Sequence, residues 1–267
     1  MKVEKPKKEE MVASDPIQAV ISSTKPQDNF WEITDLPSKF KLYAPGTKIL
    51  ARPLKVLEIK MLSTLNTDNI NFVLNDIIGR CVTGIRVEDI CTADKLYIIF
   101  WLRANTYRDS SYSIDFVCPD CKAKGKYDFQ LDCLKINYLK DSFDENKDIN
   151  LPSGKVVKIK MLRISDEIRV TNFEKTNAQS LASFDTDLLH AASLISEIDG
   201  KRIGLIAAYD FISKATPDDY SYIISYVNHY DFGIDPSIDA PCKKCGGAAQ
   251  IAVTFRPEFF VSKYTFE

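Results

Sequence analysis

The sequence predicts an α+β fold of two related halves, an internal duplication, joined at one shared four-cysteine site. Three observations predict it. A Leu-Pro-Ser motif followed by a β-prone segment occurs twice, at Leu36-Pro37-Ser38-Lys39 and at Leu151-Pro152-Ser153-Gly154-Lys155. A Tyr-Ile-Ile triplet follows in each copy, at Tyr97-Ile98-Ile99 and Tyr222-Ile223-Ile224. A Cys-x-x-Cys then closes each copy, with Cys118 and Cys121 in the first and Cys242 and Cys245 in the second. Matches in one order at similar spacing are the mark of a repeat. The chain divides accordingly into a flexible N-terminal arm (1–31), a first α+β repeat (32–140) and a second (141–267), each repeat ending in one cysteine knuckle.

The arm is rich in Lys, Glu, Ser, Pro and Asp and has no periodic apolar face, so it is expected to order only on a partner. Lys48 to Leu54 is the β-prone segment of the first repeat and Val156 to Leu162 that of the second. From Val157 to Met161 apolar and Lys residues alternate, as in a half-buried strand. These two strands are expected to pack as a pair across a pseudo-two-fold axis. A helix follows each, through Glu58, Met61 and Leu62 in one copy. In the other it starts at an N-cap Ser165 with Asp166 and Glu167 in the first turn. A second helix follows, on Ile70, Val73, Leu74, Ile77 and Ile78 with Phe72 off the stripe, and on Leu188, Leu189, Ala192, Leu194 and Ile195. Gly79 and Gly200 are expected to end or bend these helices. Asp94 and Asp219 then align ahead of the Tyr-Ile-Ile triplets, and β-prone runs follow the cysteine pairs at Tyr127 to Leu131 and Ile251 to Phe255.

Cys-x-x-Cys supplies two thiolates from one tight turn, and two such turns complete a tetrahedral zinc site. Here an extended segment enters each pair and a small flexible turn leaves it, the shape of a zinc knuckle; two facing knuckles make a zinc-ribbon-like site. The expected ligands of one structural Zn²⁺ per chain are therefore Cys118, Cys121, Cys242 and Cys245, with Lys122, Lys243 and Lys244 offsetting the charge of four thiolates. The long gap between pairs follows if each repeat brings one knuckle. Cys118-Pro119-Asp120-Cys121 is also similar to the Cys-Pro-x-Cys of dithiol oxidoreductases, which leaves redox chemistry open as a rival. Cys81, Cys91 and Cys133 have no partner at metal spacing and read as small buried hydrophobes.

A net charge of -2 gives no general attraction to nucleic acid, and no apolar run approaches the length of a membrane helix. The sequence has only two histidines, His190 and His229, and contains no phosphate-binding Gly loop, no His-Glu-x-x-His and no Gly-x-Ser-x-Gly elbow. No small-molecule substrate or catalytic constellation is therefore expected. Asp141, Asp144, Glu145 and Asp148 read as a solvated linker, and Phe100-Trp101 and Phe259-Phe260 as core or subunit contact.

Several stretches resemble the T4-type bacteriophage baseplate (hub) protein family: Leu36-Pro37-Ser38-Lys39 with Tyr43 after it, Ile49 to Glu58, Leu102 to Tyr107, and the two cysteine pairs in that order. Tyr107-Arg108-Asp109 departs from the Tyr-Gly-Asp expected there. The resemblance implies a virion protein, a structural or assembly subunit of the central hub of a contractile tail. It would be assembled in the host cytoplasm and partnered by other baseplate and hub proteins. Two other functions stay open on sequence grounds, a zinc-ribbon nucleic-acid-binding protein and a dithiol oxidoreductase.

Overall fold

The structure, a computed structural model, describes residues 29–107, 111–176 and 184–261. Residues 1–28 of the arm, and Arg108 and Asp109, lie outside them.

Proline at the second position of a four-residue turn presets the backbone for it. Both Leu-Pro-Ser motifs are such turns. The Lys39 N–H donates to the Leu36 carbonyl at 2.8 Å, and the Gly154 N–H to the Leu151 carbonyl at 2.8 Å. The closing residue is left-handed in both, at φ 53° for Lys39 and 86° for Gly154. Each turn is pinned to a helix by an aspartate: Ser38 N–H donates to Asp94 Oδ1 at 3.0 Å, and Ser153 N–H to Asp219 Oδ1 at 3.0 Å. The aligned Asp94 and Asp219 thus do the same work in the two halves.

The first half runs β1 (Trp31–Glu32), β2 (Leu50–Ala51), α1 (Val56–Leu62), α2 (Ile70–Cys81), β3 (Val82–Thr83) and α3 (Thr92–Thr106). The hairpin β4 (Ser111–Val117) and β5 (Lys124–Gln130) follows, then β6 (Ile136–Asn137). The second half runs β7 (Ile149–Asn150), β8 (Val156–Ile159), α4 (Ile164–Thr176), α5 (Thr186–Ser193), β9 (Ile195–Ile198) and β10 (Lys201–Arg202). It continues through α6 (Leu205–Ser213), α7 (Pro217–His229) and β11 (Gly233–Ile234) to the hairpin β12 (Ser237–Pro241) and β13 (Ala248–Ala252). Among the described residues the two larger sheets, both antiparallel, are ordered β1-β2-β3 and β10-β9-β8-β7, beside the two-stranded β4-β5, β12-β13 and β6-β11. The strand after each Leu-Pro-Ser turn is central in its own sheet, so the expected pairing of the two across a pseudo-axis does not occur. β2 has β1 and β3 on its edges and β8 has β7 and β9, which leaves neither an open edge for the other. Among the described residues, backbone pairing links the halves at β6 with β11 and at an isolated antiparallel bridge between Cys91 and Arg163.

The helix starts repeat as well. In the first half Arg52 reaches Glu58, whose carboxylate also accepts the Lys55 N–H at 2.7 Å. In the second, Lys160 reaches Asp166, whose carboxylate also accepts the Arg163 N–H at 3.1 Å. Helix α4 therefore begins at Ile164, with Asp166 reaching back to satisfy an N–H ahead of the helix. Ser165 is inside the first turn and is not the cap.

Helix α2 buries Val73, Leu74, Ile77 and Ile78 and leaves Phe72 exposed, as its periodicity requires. Gly79 sits within this helix, facing Val87, and does not end it. Leu194 and Ile195 lie beyond α5, where the chain has already turned into β9, and Gly200 forms the β9–β10 turn at φ 73°. Phe100, Phe259 and Phe260 are buried in the first half's core, with Phe100 and Phe259 ring centroids 5.4 Å apart. The C-terminal segment is tied there by Arg103 Nε donating to the Phe259 carbonyl at 2.6 Å and Tyr107 Oη to that of Phe260 at 2.8 Å. Cys81 and Cys91 are buried, whereas Cys133 is exposed at the end of a short 3₁₀ turn after β5. Glu145 is no free linker residue: it accepts the Met161 N–H and grips Arg163 through both oxygens. From Trp31 onward the chain is one compact unit, and no helix among the described residues is long and apolar enough to cross a membrane.

Gly84 is the tightest backbone position. It has φ 92°, and a Cβ there would sit 2.0 Å from the Lys48 carbonyl oxygen. Since neither backbone segment can yield cheaply, Gly84→Ala is expected to destabilise the fold by about 2 kcal/mol or more, measured by urea denaturation.

Candidate metal centre

Each knuckle is built by its hairpin. In β4–β5 the Cys118 N–H donates to the Ala123 carbonyl at 2.9 Å and the Lys122 N–H to the Cys118 carbonyl at 3.1 Å. In β12–β13 the Cys242 N–H donates to the Gly247 carbonyl at 2.7 Å and the Gly246 N–H to the Cys242 carbonyl at 2.8 Å. The residue after the second cysteine is left-handed in both, at φ 57° for Lys122 and 74° for Gly246. Two hairpins of unlike sequence thus present their thiols through one backbone geometry.

The tips meet. Cys118 Sγ lies 3.6 Å from Cys245 Sγ, and Cys121 Sγ lies 3.6 Å from Cys242 Sγ. All four sulfurs fall within 4.8 Å of one another, and none is in a disulfide. Four thiolates at zinc–sulfur distance around a tetrahedral ion stand about 3.8 Å apart, so the donor set and its spacing fit a metal ion. The four residues expected from spacing alone are the four brought together here.

Their surroundings hold them in place. Phe116, Ala240, Ala249 and the buried Cys118 and Cys242 form a small apolar cluster under the site, while Cys245 is on its exposed side. Gly125 lets the Phe116 ring lie against the β5 backbone, where a Cβ would come within 2.7 Å of Cζ. Asp120 crosses to the other knuckle, and a Cβ on Gly247 would meet its Oδ2 at 2.4 Å. The backbone N–H groups of Cys245 and Lys244 point at Cys242 and lower its thiol pKa to about 6. Cys245, although it receives the Gly247 N–H, is pushed the other way, to about 12, by the thiols of Cys121 and Cys118 beside it. Lys122 turns its ammonium onto the Pro119 carbonyl at 2.8 Å, at the rim of the site.

The redox rival meets a different geometry. Cys118-Pro119-Asp120-Cys121 lies in a turn between two strands, with no helix N-terminus to activate it. The shortest sulfur contacts run between the pairs.

A family described as T4 bacteriophage base plate protein matches residues 31–261, from β1 to the last described residue. The chain belongs to that family. The match takes in both larger sheets, both knuckles and the C-terminal Phe259-Phe260 anchor. Membership supports a structural role in a phage baseplate, among other baseplate proteins of the virion tail. No curated protein and no solved structure matches this baseplate protein.

Sequence reasoning did not find the aspartate and cation pairs that brace the knuckle-bearing halves. Asp94, Asp219, Glu58 and Asp166 are all buried. The available signal was a basic residue six positions before an acid at each helix start, Arg52 to Glu58 and Lys160 to Asp166.

Proposed function

We propose that this chain is a non-catalytic structural or assembly subunit of the central baseplate hub of a contractile phage tail. It holds one structural zinc ion per chain on Cys118, Cys121, Cys242 and Cys245. The observation that carries the metal reading is the convergence of four thiols from two hairpins 121 residues apart at metal-ligand spacing. Zinc is the ion that a closed four-thiolate tetrahedron suits best, and four protein ligands leave it no open position for catalysis. Family membership supports the hub reading, with partners among other baseplate and hub proteins, assembly in the host cytoplasm and a final place in the virion.

We also propose that residues 32–140 and 141–267 are copies of one ancestral unit. The shared turn, the shared aspartate clamp, the cation-to-acid helix start and the matched knuckles support this, and zinc then clasps the two copies.

Elemental analysis of protein purified without added metal tests the site: one zinc per chain is expected. No zinc, with Cys118 and Cys121 cycling between dithiol and disulfide, would replace this reading with the redox one. For the hub role, phage lacking the chain are expected to build no complete baseplates. Normal, infectious tails in its absence would overturn it.

A further inference from the structure

We infer that a cationic cleft beside β8 and β9 is a docking site for an acidic segment of a neighbouring protein. The cleft is about 440 Å³. Lys158, Lys160, Arg163, Arg169 and Arg202 line it. The carboxylates within 3.6 Å of these five cations are Glu145, Asp166 and Glu197, a surplus of two positive charges (five less three). A fourth, Asp148, stands 3.9 Å from Lys158, is largely exposed, and brings the surplus to one (five less four). This is a local excess in a chain whose net charge is -2.

The carboxylates are shared. Asp166 Oδ1 takes both Lys160 and, at 3.1 Å, Arg169. Glu197 takes Lys158 at 2.8 Å and, more loosely, Arg202 at 3.6 Å. Arg169 and Arg202 are therefore the second cations on carboxylates already engaged, and their side chains are 55% and 92% exposed. A guanidinium has five donors in a planar fork, and a single shared oxygen leaves most of them facing solvent.

Stability does not require this arrangement, because the first half does without it. There the cation-to-acid pair Arg52–Glu58 is buried, and the strand pair Leu50 opposite Thr83 stands where Lys158 faces Glu197. Met61 follows Glu58 by three positions, as Arg169 follows Asp166. The comparison needs only the matched geometry and not common ancestry. The surplus charge is specific to the second half and opens to solvent.

Carboxylates fit the cleft better than a nucleic-acid backbone does. Glu145 and Glu197 interrupt the positive surface and would repel a continuous row of phosphates, and among the described residues no aromatic side chain lines the cleft for a base to stack on. Separate Asp or Glu side chains can instead take Arg169 and Arg202 one at a time. The inference deepens the scaffold reading by giving a partner its chemistry. It takes from that reading only that the partner is a protein.

The test uses the full chain and hexaglutamate, followed by isothermal titration at low salt. Binding is expected and should weaken as salt rises. The double substitution Arg169→Gln with Arg202→Gln should weaken it about tenfold, while Glu197→Gln, which releases two cations, should tighten it severalfold. Circular dichroism of each variant checks that the fold is kept. Absence of hexaglutamate binding would overturn the inference, as would undiminished binding by the folded double variant. Tighter binding of an oligothymidylate of equal charge would also overturn it, in favour of a phosphate site. None of these outcomes bears on the zinc content or on baseplate assembly, so this inference fails separately from the hub reading.

Discussion

If the four thiols hold a metal ion, Cys118→Ser and Cys242→Ser are each expected to lose it and to lower the unfolding midpoint by roughly 10 °C. A four-thiolate site binds its ion with about 10–16 kcal/mol of apparent free energy in small zinc peptides. Here apolar clusters away from the cysteines hold most of the fold, so only the part spent on joining the hairpins is felt, about 4 kcal/mol. At 2–4 °C per kcal/mol for a chain of this size, that gives a shift of about 10 °C. Both residues are buried in the apolar cluster beneath the site, so a serine hydroxyl there is also poorly accommodated. Cys133→Ser is the control: this exposed thiol is not one of the four clustered cysteines, and its loss should change the midpoint by no more than about 2 °C. Differential scanning calorimetry with parallel zinc analysis reads all three. A Cys118→Ser variant that keeps both its zinc and its midpoint would defeat the shared clasp.

Glu58→Ala should cost about 3–5 kcal/mol, because it leaves a buried guanidinium without its carboxylate. Arg52 and Glu58 are 8% and 5% exposed at the side chain and meet at 3.0 Å, while the same guanidinium also donates to the Arg80 and Pro53 carbonyls. Those carbonyls hold Arg52 in place, so it cannot swing out to water when its partner is removed. The matching substitution in the second half, Lys160→Ala, should cost less, about 1–2 kcal/mol, since the buried Asp166 keeps Arg169 and the Arg163 N–H as partners. The pH dependence has a definite sign. Burial alone would raise the Glu58 pKa, but the Arg52 hydrogen bond and the Lys55 N–H outweigh it and hold the carboxyl below its ordinary value. Its stabilising contribution is therefore complete above about pH 4.3 and is lost as pH falls through the lower folded value. Glu58→Gln should lose less stability than the natural protein between pH 4 and pH 2, roughly, in urea denaturation at each pH. Equal losses would show that Glu58 does not titrate with folding.

The parts of this molecule legible in the sequence are those governed by local spacing. The cysteine pairs, the α2 stripe and the exposed Phe72 follow from periods and from the tight turn a Cys-x-x-Cys makes. What was illegible depended on which distant groups meet. Asp94 and Asp219 read as ordinary acidic residues ahead of matching triplets, yet each is buried beneath a proline turn in its own half. Glu145 sat in a polar stretch resembling a linker, and only the fold brings Arg163 to it. Strand partners were misjudged for the same reason: a symmetric repeat suggests pairing between copies, whereas β1 and β7, too short to register in any window, had already occupied the edges.

The position of the clasp fixes how mechanical load would travel. With an ion in place, residues 121 and 242 are joined across a gap that the backbone covers in 121 steps. Tension along the chain then has a path from the β4–β5 tip across the sulfurs into the β12–β13 tip, in parallel with the Arg103–Phe259 and Tyr107–Phe260 hydrogen bonds that tie the C-terminal segment to the first half. Everything from β6 to β11, the cationic cleft included, hangs as a closed side loop outside the path of force. A surface carried on that loop would keep its shape while the rest of the chain is pulled.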